Sequence, residues 1–198
     1  MPVSVSGVVE GITDQAALAQ LIAHIKAEPS QIVTIENKKH LLKRLVNYNQ
    51  AAQFSPWVVL VDLDLDFDCA VKAKNAWLAD PADTMCFRIA VRKLEAWFLA
   101  DRENIARFLG VSVALVPKDP EALDDPKLEM VNLARKSKKR AIIANMVPRE
   151  GSGRATGIAY AASLIDFASN HWNPDQAAEN SESLRRSIEC LKRLVEDE

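Results

Sequence analysis

Apolar and polar positions change their period several times along the chain, and each change predicts an element. Val3 to Val9 alternates Val with Ser at its start and then meets Glu10-Gly11, the pattern of a strand ending in a turn. Ala17, Leu18, Leu21, Ile22 and Ile25 recur at three- and four-residue spacing, which predicts an amphipathic helix capped by Thr13 or Asp14 and closed near Pro29. Ile32 to Ile35 predicts a second short strand, and Leu41, Leu42, Leu45 and Val46 predict a second helix. Trp57 to Val61 is an unbroken apolar run between Pro56 and Asp62, which suits a central parallel strand covered on both faces. Beyond it, Ala70 to Leu78 predicts a helix, Met85 to Val91 a fourth strand, and Leu94, Trp97 and Phe98 one side of a further helix. Asp101 is placed to cap the next helix, which stops at Gly110.

This strand–helix rhythm predicts an α/β fold, a mainly parallel sheet flanked by helices. Residues 111 to 127 interrupt it with Pro117, Pro120, Pro126 and four acidic residues, so an irregular loop is expected there. It divides a sheet-bearing part, residues 1–112, from a mostly helical part, residues 113–198, expected to pack on it as one unit. The helical part is broken at Val147 to Arg154 and ends in a stripe of Leu184, Ile188, Leu191 and Val195.

Composition narrows the class. With 198 residues, 48% hydrophobic and a net charge of -2, the chain can bury a single core and offset its ordering entropy, which excludes a disordered chain. No apolar stretch approaches the ~20 residues of a spanning helix, and no secretory pattern opens the chain. Cys69, Cys86 and Cys190 are scattered with no CxxC pair, so reduced thiols and a cytoplasmic location are expected rather than a disulfide framework or a zinc site. Glycine occurs only at 7, 11, 110, 151, 153 and 157. That distribution excludes a Walker A loop and a GxGxxG fingerprint, and it weakens a nucleotidyltransferase reading.

Candidate chemistry concentrates where the central strand ends. Asp62, Asp64, Asp66 and Asp68 follow Val58-Val59-Leu60-Val61 at every second position, and on an extended backbone they share one face. Like charges this close call for a divalent cation, basic neighbours or plain solvation. An EF-hand fails, because its sixth and twelfth positions are Phe67 and Ala73. A haloacid-dehalogenase-like phosphatase, with Asp62 as nucleophile and Asp64 as general acid, stays open as an alternative. Glu10 closes the first strand, and parallel strand ends share one edge, so Glu10 can converge with Asp62 and Asp64; its other reading is a residue favoured by a helix N-terminus.

Val8-Val9-Glu10-Gly11-Ile12-Thr13-Asp14 followed by Val59-Leu60-Val61-Asp62-Leu63-Asp64 resembles the TOPRIM domain of topoisomerases, primases and overcoming-lysogenization-defect nucleases. Arg92-Lys93-Leu94-Glu95-Ala96-Trp97-Phe98-Leu99-Ala100-Asp101 resembles the signature of a bacterial TOPRIM-like family, domain of unknown function 4276. The resemblance implies a Mg²⁺ or Mn²⁺ site on Glu10, Asp62 and Asp64, extended by Asp66, and phosphodiester chemistry of the nuclease type. Within it Glu95 is a candidate fourth acid, against the alternative of a solvent-facing helix residue. The same resemblance implies, as a second reading, a subunit that acts only with an ATPase partner in a phage-defence module.

A basic segment supplies a counterpart. From Met130 to Arg154 seven cations stand against Glu150 alone, a net charge of +6. Lys138, Lys139, Arg140, Arg149 and Arg154 are therefore candidate contacts to the phosphate backbone of DNA or RNA, against the alternative of a solvated face. No aromatic residue lies between Phe108 and Tyr160, so this segment would read charge and shape rather than stack bases. The near-neutral total is thus the sum of an acidic and a basic patch.

Overall fold

A computed structural model describes residues 2–196. Four strands, β1 (Ser4–Val9), β2 (Glu28–Thr34), β3 (Trp57–Asp62) and β4 (Met85–Ala90), form one parallel sheet in the order β2-β1-β3-β4. Helix α1 (Ile12–His24) follows β1, and α2 (Lys38–Lys43) and α3 (Leu45–Ala51) follow β2. Helix α4 (Ala70–Trp77) joins β3 to β4. After β4 come α5 (Glu95–Ala100), α6 (Arg102–Leu109), two short 3₁₀ turns, α7 (Pro126–Arg135), α8 (Arg140–Met146), α9 (Tyr160–Asn170), α10 (Pro174–Ala178) and α11 (Glu182–Glu196). The α/β class predicted from the alternation is the one observed.

Period-two alternation sends successive residues of each strand into different layers. Val5 and Val9 of β1, Val58 and Leu60 of β3, and Cys86 and Ala90 of β4 enter one apolar cluster with α1, α5–α7, α9 and α11. Val8, Val59, Val61, Phe87 and Ile89 face a smaller cluster with α2, α3 and α4. The larger cluster holds Val5 and Leu194 together, so the helical second part shares its core with the sheet. The C-terminal stripe lies in that core, with Leu184, Ile188 and Leu191 buried.

Three local expectations differ. The first helix ends at His24, and Pro29 lies inside β2, where an edge strand tolerates a missing backbone donor. The predicted second helix is two, divided at Arg44, and Val46 is exposed. Gly11, rather than Thr13 or Asp14, occupies the N-cap of α1, and its N–H donates to Asp14 Oδ2 at 2.7 Å.

Asp101 occupies the N-cap of α6 as expected, and its carboxylate accepts from the Asn104 side chain and from Asn173 N, which ties α6 to the segment before α10. The α6 stop at Gly110 is as expected, in the left-handed region at φ 71°. A Cβ there would meet Lys139 Cγ at 2.8 Å. Gly110→Ala is expected to cost about 1–2 kcal/mol by chemical denaturation, from both the φ and the displaced Lys139 stem.

Candidate active site

The helices that follow β1 and β2 pack on opposite faces of the sheet, so the chain direction reverses between β1 and β3. At such a switch point the carboxyl ends of adjacent strands part and leave a crevice. Glu10 and Asp62 stand there, and the Asp62 N–H donates to Glu10 Oε1 at 3.1 Å. Asp62 Oδ1 in turn accepts from Leu94 N at 2.9 Å, which draws in the turn between β4 and α5. Glu95, the next residue, is 6% exposed, so it does not face solvent. Its Oε1 accepts from the Tyr160 hydroxyl at 3.1 Å and lies 3.6 Å from Lys127 Nζ.

These groups line one cleft of about 680 Å³ together with Asp14 and Arg154. Its floor therefore carries four carboxylates, Glu10, Asp14, Asp62 and Glu95, drawn from three stretches of sequence. Burial raises the Asp62 pKa well above the usual carboxylate range, and the charges of Asp14, Glu95, Glu10 and Asp64 raise it further. Asp14 is pushed up to about 7, first by burial, with the Gly11 N–H opposing and Glu95 and Glu10 adding to the rise. Glu10 is raised by burial against the lowering effect of the Asp62 N–H. Burial and the neighbouring Glu95 likewise drive the Tyr160 phenol upward, so it stays a hydrogen-bond donor.

The carboxylate series does not share one face. Extended backbone ends with β3 at Asp62; Asp64 has φ 50° and Asp66 N donates back to Leu63 O, so the chain turns. Lys38 takes both displaced groups, at 2.5 Å to Asp64 Oδ2 and 2.8 Å to Asp66 Oδ2. Asp68 is exposed and pairs with Lys72 at 3.5 Å. Of the sequence-derived acids, Glu10, Asp62 and Glu95 line the cleft, whereas Asp64 and Asp66 sit beside it on Lys38.

The basic candidates also separate. Lys139 Nζ donates to the Arg107 and Phe108 carbonyl oxygens, closing the end of α6. Lys138 and Arg140 are exposed beside it and are not part of the carboxylate cleft lining. Arg154 lines that cleft, and Arg149 lines a smaller cavity next to it.

Asp14, Lys127 and Tyr160 are the cleft residues that sequence reasoning did not single out for chemistry. Asp14 had one available signal, its place four residues after Glu10 across the strand-to-helix turn. Lys127 and Tyr160 have none, because only the packing of α7 and α9 brings them to Glu95.

Hard oxygen donors in surplus negative charge are the donor chemistry of Mg²⁺ or Mn²⁺. Among the described residues no three His, Cys, Asp or Glu side chains converge into a ready-made metal cage. No helix among the described residues is long and apolar enough to cross a membrane.

No curated protein and no solved structure matches the chain. The family described as a domain of unknown function, DUF4276, matches residues 9–191, a span that takes in all four carboxylates, Lys127 and Arg154, and the chain belongs to that family.

Proposed function

We propose that this protein performs divalent-metal-dependent phosphodiester chemistry as a nuclease. The observation that carries the reading is that Glu10, Asp14, Asp62 and Glu95 line one cleft at the sheet's switch point, with Lys127 and Arg154 in its walls. The resemblance of Glu10 and Asp62-Leu63-Asp64 to TOPRIM domains supports it. One or two carboxylates from among Glu10, Asp14, Asp62 and Glu95 would hold Mg²⁺ or Mn²⁺ together with waters and substrate phosphate, and a bound cation would supply water activation and neutralise charge developing on the scissile phosphate. Leu94 N–H and Asp62 N–H orient the Asp62 and Glu10 carboxylates, leaving one oxygen of each without a hydrogen bond among the described residues.

The phosphatase alternative needs Asp64 as a general acid over the reacting group, but Asp64 is held by Lys38 beside the cleft. Incubation of the protein with plasmid, single-stranded DNA and tRNA in Mg²⁺ or Mn²⁺ tests the proposal. Cleavage is expected in one of these and not in an Asp62→Asn control; no cleavage beyond that control in any of them counts against the reading. Lys127 stabilises Glu95 and offers the cleft a positive charge close to where the phosphate would lie. Lys127→Met is expected to lower the cleavage rate about a hundredfold in single-turnover assays, the lower end of the loss for one donor to a transition state.

A further inference from the structure

Residues 147–158 form a loop pinned at its base. Gly157 N donates to Met146 O at 2.9 Å and Ala159 N to Asn145 O at 3.0 Å, so the chain leaves α8 and returns to the same turn. A Cβ on Gly157 would lie 2.3 Å from the Asn145 carbonyl oxygen, and only glycine permits this closure. Between the pins, Ser152 N bonds to Arg149 O and Arg154 N to Ser152 Oγ. This geometry sets two arginines on a short, closed loop.

Several other arginines are engaged: Arg185 and Arg186 with Glu182, Arg102 with the Val113 and Val116 carbonyls, Arg92 with the Asp64 carbonyl. Among the described residues neither the Arg149 nor the Arg154 guanidinium has an acidic or hydrogen-bonding partner. Both face a cavity of about 230 Å³ that shares Arg154, Thr156, Gly157 and Ile158 with the carboxylate cleft. Ile158, in the shared wall, is 81% exposed, an apolar surface set between a cationic cavity and an acidic one.

We infer that this loop is a second phosphate-holding subsite, so that the substrate is a polynucleotide strand and not a mononucleotide or a small diester. The scissile phosphate would occupy the carboxylate cleft, the neighbouring phosphate would bind Arg149 and Arg154, and the nucleoside between them would lie against Ile158. The repeat phosphate–nucleoside–phosphate matches the order of cation-accepting, apolar and anion-accepting surfaces across the two joined cavities. The position of the scissile phosphate rests on the nuclease reading; the anion-binding role of the loop does not.

The test compares wild type with Arg149→Ala/Arg154→Ala, two exposed positions whose truncation leaves the core untouched. A labelled single-stranded oligonucleotide is titrated by fluorescence anisotropy in Ca²⁺ over a range of salt. The variant is expected to bind at least about tenfold more weakly, and its salt slope to fall by roughly 0.7, the value for one neutralised phosphate on a single strand. In turnover, the single variant Arg149→Ala, whose side chain lines only the smaller cavity, raises KM for the oligonucleotide while bis(p-nitrophenyl) phosphate hydrolysis is unchanged. An unchanged affinity and slope, an equal loss on both substrates, or no oligonucleotide binding by wild type overturns the inference. Binding that depends on the two arginines in a protein that cleaves nothing leaves the loop assignment standing and removes the nuclease reading.

Discussion

Asp62→Asn is expected to lower cleavage at least about a thousandfold while leaving the protein folded and, near pH 8, no less stable than wild type. The activity loss follows from position. Asp62 joins the ends of β3 and β1 through its N–H on Glu10 and joins the α5 turn through Leu94 N on its own carboxylate, so it is the group that the other acids surround. Asparagine retains an oxygen for Leu94 N but supplies no negative charge to a cation. The stability expectation comes from the same crowding. Burial and four acidic neighbours disfavour an ionised Asp62, so a neutral isostere removes a cost that the wild-type fold bears in the absence of a cation. Single-turnover cleavage and thermal unfolding on the same preparation check both halves. Retained cleavage would remove Asp62 from the centre of the site, and a lower melting temperature would mean that its charge is already compensated by the protein.

How far this site was legible in the sequence depends on whether a residue's place is set by its own strand or by packing. Trp57 to Val61 is apolar at every position because β3 lies between two strands and two helical layers, and that pattern located Asp62 at its end. Glu10 was legible for the same reason, as the first polar residue after a buried strand. Glu95 was visible only as part of a motif; its burial is decided by Tyr160 and Lys127, which lie at large separations in the chain. Asp64 and Asp66 were misplaced by extending the period of two past the last extended residue. The positive φ of Asp64, held by hydrogen bonds with Arg92 in both directions, ends that period, and Lys38 is the basic neighbour that answers their charge. Asp14 was taken for a helix cap, and it does accept the Gly11 N–H; local reading had no means of knowing that Glu10 and Glu95 stand nearby. At the fold level, Pro29 looked like a helix terminator because edge position, which makes it acceptable in β2, is a property of the whole sheet.

Without added cation, the protein is expected to lose thermal stability as pH rises from about 5.5 to about 8, and Mg²⁺ or Mn²⁺ to restore most of it at the upper end. Asp14 carries the clearest sign. Its carboxyl ionises near 3.8 when unperturbed and at about 7 in the folded protein, so between those values the unfolded chain has released a proton that the folded chain retains. Stability from this group is complete below the lower value and is lost as pH climbs through the higher one, at about 1.4 kcal/mol per pH unit. Glu10 and Asp62 are raised as well and act in the same direction. From about pH 5.5 to 7 Asp14 alone accounts for roughly 2 kcal/mol, or roughly 4–8 °C in melting temperature for a chain of this size. A divalent cation reverses the preference, because its ligands bind it deprotonated; stabilisation by Mg²⁺ should therefore be larger near pH 8 than near pH 5.5 and accompanied by proton release. Melting curves across pH, with and without Mg²⁺, and calorimetric titrations in buffers of different ionisation enthalpy provide the measurement. In Asp62→Asn the cation-dependent gain should be largely absent. A cation-free melting temperature that rises over this pH range would mean that the four carboxylates are not crowded in solution, and the metal-binding reading of the cleft would fall with it.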